Sequence, residues 1–122
     1  MLTLTEVLSD ATAALHFNDT EVVGVNSRGE NGQSPLHWMA ILGDAKGVHL
    51  LIEADANINA TDNRGNTPLH EAITSRQVLA AGMLITYGAN IHIKNNEGKT
   101  PFDLAEADGF KPTVELLQSV QS

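Results

Sequence analysis

Five histidines and fifteen acidic residues are the side chains here that could carry out chemistry. Histidine binds metals or transfers protons near neutral pH, and paired carboxylates act as general acid and base. The spacing fits neither use of histidine: no two histidines stand four residues apart beside a carboxylate, as in a zinc protease helix, and the chain has no cysteine to complete a zinc site. The sequence therefore predicts no metal site and no cofactor.

One acidic group, Asp103, Glu106 and Asp108, could suggest acid–base catalysis. No companion nucleophile and no glycine-rich phosphate loop accompanies it, and the glycines stand singly at a fixed interval. We therefore expect that the protein is not an enzyme.

The elements that must position these side chains recur with a period of 33 residues. The pattern is clearest over residues 65–72, Gly-Asn-Thr-Pro-Leu-His-Glu-Ala. A shift by one period superposes glycines, hydroxyl residues, prolines and large apolar residues: Gly32, Gly65 and Gly98; Ser34, Thr67 and Thr100; Pro35, Pro68 and Pro101; Leu36, Leu69 and Phe102. Period and motif together resemble the ankyrin repeat, a unit of ~33 residues with the signature T-P-L-H-x-A.

This resemblance implies an all-α fold, an ankyrin-repeat solenoid of stacked helix-turn-helix pairs with β-hairpin-like finger loops. We expect one domain over residues 1–122, with repeats at 29–61, 62–94 and 95–122. Residues 1–28 lack the motif and are expected to form an N-terminal capping segment with a helix near Thr5–Leu15, because a repeat array must cover its apolar ends. In the last repeat Asp103 replaces the motif histidine, and polar residues close the chain as in an end cap.

Helix boundaries follow from the punctuating residues. A hydroxyl directly before proline predicts an N-cap at Ser34, Thr67 and Thr100. Gly43 and Gly109 suit the left-handed C-cap conformation, whereas Arg76 takes that place in the middle repeat and predicts a distorted or longer turn. The second helices are predicted from about Asp44 to Ala54, Gln77 to Tyr87 and Pro112 to Val120.

The formal charge of −8 argues against a nucleic-acid partner, because phosphate binding needs clustered basic residues. It would steer a basic protein partner toward the surface, or it simply keeps the protein soluble. The N-terminus has no basic region before an apolar run, and no stretch reaches the length of a membrane span. We therefore expect a cytoplasmic protein without membrane contact, monomeric when free.

In the ankyrin family, partner contacts come from the finger tips and the exposed side of the first helices. The motif histidines His37 and His70 instead orient backbone. Carried onto this chain, the resemblance implies a partner-binding set of seventeen residues: Glu30, Asn31, Gln33, Trp38, Ile41, Leu42, Asn63, Arg64, Asn66, Glu71, Thr74, Ser75, Asn96, Glu97, Lys99, Leu104 and Asp108.

Trp38 aligns with Glu71 and Leu104 under the 33-residue shift, so the first repeat is the apolar end of this row. We expect Trp38 to anchor a partner; the alternative is that it packs beneath the N-terminal cap. Two functions follow from such a surface. One is inhibition of a basic partner, as an immunity protein inhibits its toxin, and the other is a passive scaffold or assembly subunit.

Overall fold

The computed structural model describes residues 26, 28–29 and 31–120 of the chain. This part contains six helices: α1 Pro35–Leu42, α2 Ala45–Glu53, α3 Pro68–Thr74, α4 Val78–Thr86, α5 Pro101–Asp108 and α6 Lys111–Val120. They form three consecutive pairs in the order that the 33-residue period predicts. The predicted N-terminal capping helix lies outside the described residues.

The first helix of each pair begins at a hydroxyl N-cap, as predicted. Ser34, Thr67 and Thr100 are extended, and each side chain accepts a hydrogen bond from the backbone N–H three residues later. Proline occupies the next position, where its missing N–H costs nothing. The side chain at the third helical position bonds back to the N-cap N–H, which completes a reciprocal capping box.

The turn inside each pair is the same in all three repeats, so the expectation of a distorted or longer middle turn was wrong. Gly43 and Gly109 have φ of 74° and 72°, and Arg76 takes the same left-handed conformation with φ 59°. The N–H of Asp44 donates to Met39 at 3.0 Å, and the equivalent N–H of Gln77 donates to Ala72 at 2.8 Å. The middle turn is therefore kept although its residue carries a Cβ.

Contacts to the last repeat hold Arg76 in this conformation. Its guanidinium forms two hydrogen bonds to the Asp108 carboxylate, at 3.0 and 3.1 Å, and lies 5.0 Å from the ring centroid of Phe110. Hydrogen bonding to Asp108 also raises the pKa of Arg76. A bidentate ion pair and a cation–π contact oppose the strain of a left-handed non-glycine residue.

We expect Arg76→Ala to melt below the wild type, because alanine keeps the left-handed strain and loses both contacts. Arg76→Gly should recover part of the loss, since glycine removes the strain. Thermal unfolding of the three proteins tests this order, and an alanine variant as stable as the wild type would show that the contacts contribute nothing.

The helices pack in two layers around a core of aliphatic side chains. Helices α1, α3 and α5 contact their neighbours in one layer, while α2, α4 and α6 do so in the other. The fully buried side chains between the layers include Leu36, Leu51, Leu69, Leu84 and Leu117. Because every pair buries its apolar faces against the next pair, the core runs along the whole stack.

The segments 28–33, 61–66 and 94–99, which we call the first, second and third fingers, project beside the first helices. None of their described residues is in a β-strand, so the predicted hairpin-like character is not confirmed. The fingers are joined instead by single backbone bonds at one interval. Asn63 N–H donates to Asn31 at 3.0 Å, and Asn96 N–H donates to Arg64 at 2.9 Å.

Candidate functional site

Two buried histidines fix the second and third fingers to the helices. In His37, Nδ1 accepts a hydrogen bond from the Ser34 N–H at 3.1 Å, so the ring proton is on Nε2 and is donated to the Asn66 carbonyl at 2.8 Å. His70 repeats this arrangement with Thr67 at 3.0 Å and with the Lys99 carbonyl at 2.9 Å. Each histidine thus caps its own helix and holds the finger of the next repeat.

The buried environment keeps both rings neutral. Burial lowers the pKa of His37 and His70, and the hydrogen bonds to Asn66 and Lys99 only partly oppose that effect. The predicted role of these histidines in orienting backbone agrees with this geometry. Neither ring offers an open nitrogen for metal binding or proton transfer.

Asp62 shapes the second finger. Its Oδ1 atom accepts hydrogen bonds from the N–H groups of Arg64 at 2.9 Å and Asn66 at 3.0 Å, which closes the turn from within. Asn66 is itself held by His37. The side chains of this finger therefore stand in a defined position relative to α3.

A recess of about 150 Å³ opens between the first two fingers and α3. Its lining combines five of the predicted partner-binding residues with one that the sequence did not single out. These residues are Asn31, Gln33, Asn63, Arg64 and Glu71, together with Asp62. We call this the finger recess. All six side chains are polar, so the site suits hydrogen bonding and charge pairing rather than apolar contact.

Two carboxyl groups meet in the finger recess, and one of them is strongly perturbed. Burial raises the pKa of Glu71 to about 7, and a hydrogen bond to Asp62 and the charge of Asp62 raise it further. The Gln33 amide and the Arg64 charge oppose this rise without cancelling it. Glu71 and Asp62 therefore share a proton near neutral pH, and a cation placed between them would release it.

This pKa makes stability depend on pH. The folded pKa of Glu71, about 7, lies above its ordinary value of 4.5, so its contribution is complete below the lower value and is lost as pH rises through 7. His37 and His70 act in the opposite direction, because a lowered histidine pKa removes stability as pH falls below 6.5.

We expect Glu71→Gln to gain stability relative to the wild type as pH rises from about 5 to about 8. The gain should be on the order of 1 kcal/mol, because water screens a half-exposed carboxyl. Urea unfolding at several pH values measures it, and the histidine contribution cancels because both proteins share it. A constant difference across this range would mean that Glu71 titrates normally.

The predicted residues on α1 lie in the row beside the recess. Trp38 and Ile41 are half-buried, and Trp38 packs against the core, while Leu42 is 52% exposed. The alternative in which Trp38 packs beneath the N-terminal cap involves residues outside the described part. Trp38 thus offers only part of its ring to a partner.

Other predicted residues take part in contacts within the chain. Asn66 is bonded to His37, Asp62 and Asn95, and Asp108 is paired with Arg76. The amide of Asn96 donates to Asn63 at 3.0 Å. These side chains first of all join one repeat to the next.

The remaining predicted residues divide by exposure. Glu30 lies outside the described part of the chain, and Ser75 and Leu104 are half-buried. Thr74, Glu97 and Lys99 are exposed, although the Thr74 hydroxyl donates to the His70 carbonyl at 2.9 Å. The structure does not bring this group together at the finger recess.

The described residues include no group of three or more His, Cys, Asp or Glu side chains that could hold a metal ion. In the same part of the chain, no helix is long and apolar enough to cross a membrane.

Comparisons with known proteins identify the repeat. A model of ankyrin repeats in three copies matches residues 7–95, well over half of the chain. A comparison with curated proteins gives no significant match. Ankyrin repeats are in general protein–protein interaction modules and are typically not enzymes. The match, the 33-residue period and the stacked helix pairs agree, and the chain belongs to the ankyrin repeat family.

Proposed function

We propose that this chain binds a basic protein partner through the face formed by the fingers and the exposed side of the first helices, with the finger recess accepting a lysine or arginine side chain. The observation that carries the proposal is the meeting of Asp62 and Glu71 in one polar recess beside exposed finger residues. A guanidinium or ammonium group would replace the proton that these carboxyls share.

The surroundings of the recess support a protein ligand. Leu42, 52% exposed on the neighbouring helix, supplies apolar area, and half-buried Trp38 lies one turn before it. An apolar patch beside charged groups is the usual composition of an interface. The net charge of −8 would speed association with a basic surface.

Inhibition by occlusion, the action of an immunity protein on its toxin, is the specific form of this proposal. Its support is the acidic balance of the chain, which suits a basic target. A passive scaffold would use the same face without changing its partner's activity. The two functions differ only in what happens to the partner once it is bound.

The test is affinity capture from the native cell with two immobilised variants. Asp62→Asn/Glu71→Gln removes both recess charges without changing side-chain size, and Leu79→Ser alters an exposed residue on the opposite layer as the matched control. We expect a basic protein to be retained by the wild type and the control, lost by the double variant, and released by salt.

An assay of the captured protein with and without this chain then separates the two functions. Loss of the partner's activity at stoichiometric binding indicates inhibition, and unchanged activity indicates a scaffold. A partner that binds the double variant as tightly as the wild type would contradict the proposed role of the recess.

A further inference from the structure

Helix α4 is apolar on the side that faces away from the fingers as well as on its buried side. It contains no charged residue, and Leu79 in its first turn is 78% exposed. Its only hydroxyl, that of Thr86, donates to the Gly82 carbonyl at 2.8 Å and so is satisfied within the helix. A helix that is apolar all round is normally covered on all sides.

Neighbouring helices extend this face at the same level. Leu50 on α2, Met83 on α4 and Leu116 on α6 are spaced by 33 residues, and each is half-buried against the core. They form a continuous apolar row across the layer. Single exposed leucines are ordinary on protein surfaces, whereas a row flanked by a largely exposed leucine marks an interaction surface.

Gly82 leaves a gap in the centre of this face. A Cβ atom built at Gly82 would meet no atom of the chain within 4 Å, so the space above it is open. Met83 stands next to it. A half-turn about an axis between Gly82 and Met83, perpendicular to α4 and lying in the face, would place Met83 of a second copy over that gap.

The charges beside the apolar row are complementary to themselves under the same half-turn. Lys46 begins the exposed stripe of α2 and Glu53 ends it, seven positions later. Rotation about the axis at the level of Gly82 and Met83 lays α2 antiparallel on α2 of the second copy. Lys46 of each copy then faces Glu53 of the other. Among the described residues the ion pair that forms is Arg76–Asp108, so neither charge is neutralised by that part of the chain.

We propose that the outer face of α2, α4 and α6 is a self-association surface that pairs two copies of this chain antiparallel about a two-fold axis at Gly82 and Met83. Each copy contributes the same apolar row and the same two charges, as an isologous interface requires. The face is small and each copy carries a charge of −8, so the dimer is weak, with Kd on the order of 100 µM. It lies on the layer opposite the fingers, so a dimer would display two finger faces at once.

Sedimentation velocity and small-angle scattering from about 10 µM to about 1 mM, in about 0.15 M salt, test the proposal. We expect the wild type to shift from monomer to dimer over this range. Leu79→Glu should remove the dimer and leave the melting temperature nearly unchanged, because the residue is exposed. Leu42→Glu, at an exposed leucine on the finger face, is the matched control and should dimerise like the wild type.

Charge reversal distinguishes the specific pairing from general repulsion. Lys46→Glu and Glu53→Lys each place like charges opposite one another twice per dimer, so each should weaken association about tenfold. The double variant restores opposite charges and should recover the wild-type Kd. General repulsion alone predicts a different result, because Glu53→Lys reduces the net negative charge and would then strengthen the dimer.

A wild type that stays monomeric at about 1 mM overturns the proposal, as does a dimer that survives Leu79→Glu. A large loss of melting temperature in Leu79→Glu without any self-association would mean that the chain covers this face itself, and would also overturn it. None of these outcomes depends on capture of a partner at the finger recess.

Discussion

Gly65→Ala should lower the free energy of unfolding by about 3 kcal/mol, whereas Gly98→Ala should lower it by only about 1 kcal/mol. The two glycines are one repeat apart and have φ of 76° and 75°, so alanine brings the same left-handed strain at both. The difference comes from the neighbouring finger. A Cβ at Gly65 would stand 2.9 Å from the backbone nitrogen of Asn96, whereas one at Gly98 would meet nothing within 4 Å.

Urea unfolding of both variants measures the difference, which corresponds to a gap in melting temperature of about 8 °C. Because Gly98 experiences the same backbone strain, it is an internal control for the packing contribution. Equal losses would show that the fingers separate easily to admit a methyl group. The stack would then be looser than the hydrogen bonds between its fingers indicate.

The sequence predicted those parts of the fold that depend on local chemistry. The hydroxyl–proline pairs located the three N-caps, and the 33-residue period placed Gly32, Gly65 and Gly98 at equivalent turns with φ of 73°, 76° and 75°. Each of these outcomes is decided within a few residues, where a cap or a positive φ restricts the residue type.

Where distant residues decide the outcome, local reasoning failed. Arg76 was expected to distort its turn, but Asp108 and Phe110, one repeat later, supply contacts that stabilise it there. Repeat periodicity aligns Arg76 with Gly43 and Gly109 without indicating that a side chain from the next repeat compensates for the missing glycine.

The candidate site shows the same division. Five of the lining residues of the finger recess followed from the ankyrin resemblance, but Asp62 was treated only as part of a turn. Asp62 does close that turn, and its second role arises because the fold brings it to Glu71, nine positions away. The sequence signal that could have found it is an acidic residue in a finger next to a repeat whose first helix carries another acid.

His37→Asn and His70→Asn should each lower the free energy of unfolding by about 2 kcal/mol. Asparagine can keep the cap, since the shorter Asp103 accepts the Thr100 N–H at 3.0 Å in the last repeat. It cannot reach the next finger, so each variant leaves a partly buried carbonyl without its donor, that of Asn66 or of Lys99.

The two variants should differ at the finger recess. His37 holds the second finger, which contributes Asp62, Asn63 and Arg64 to the lining, whereas His70 holds the third finger, which contributes none. Loss of the His37 bond frees Asp62 to move away from Glu71. The pKa of Glu71, about 7 in the wild type, should then fall toward its ordinary 4.5 in His37→Asn and stay near 7 in His70→Asn.

Carbon-13 NMR titration of the Glu71 carboxyl measures this pKa directly, and urea unfolding of the same samples measures stability. If equal losses of stability accompany unequal shifts in pKa, His37 positions the recess in addition to stabilising the fold. If Glu71 keeps its raised pKa in both variants, the second finger is held by its own Asp62 turn and by Asn31, and the histidine bond is only structural. A fall of equal size in both would instead mean that all the fingers move together, because the bonds between Asn96 and Arg64 transmit the loosening from one finger to the next.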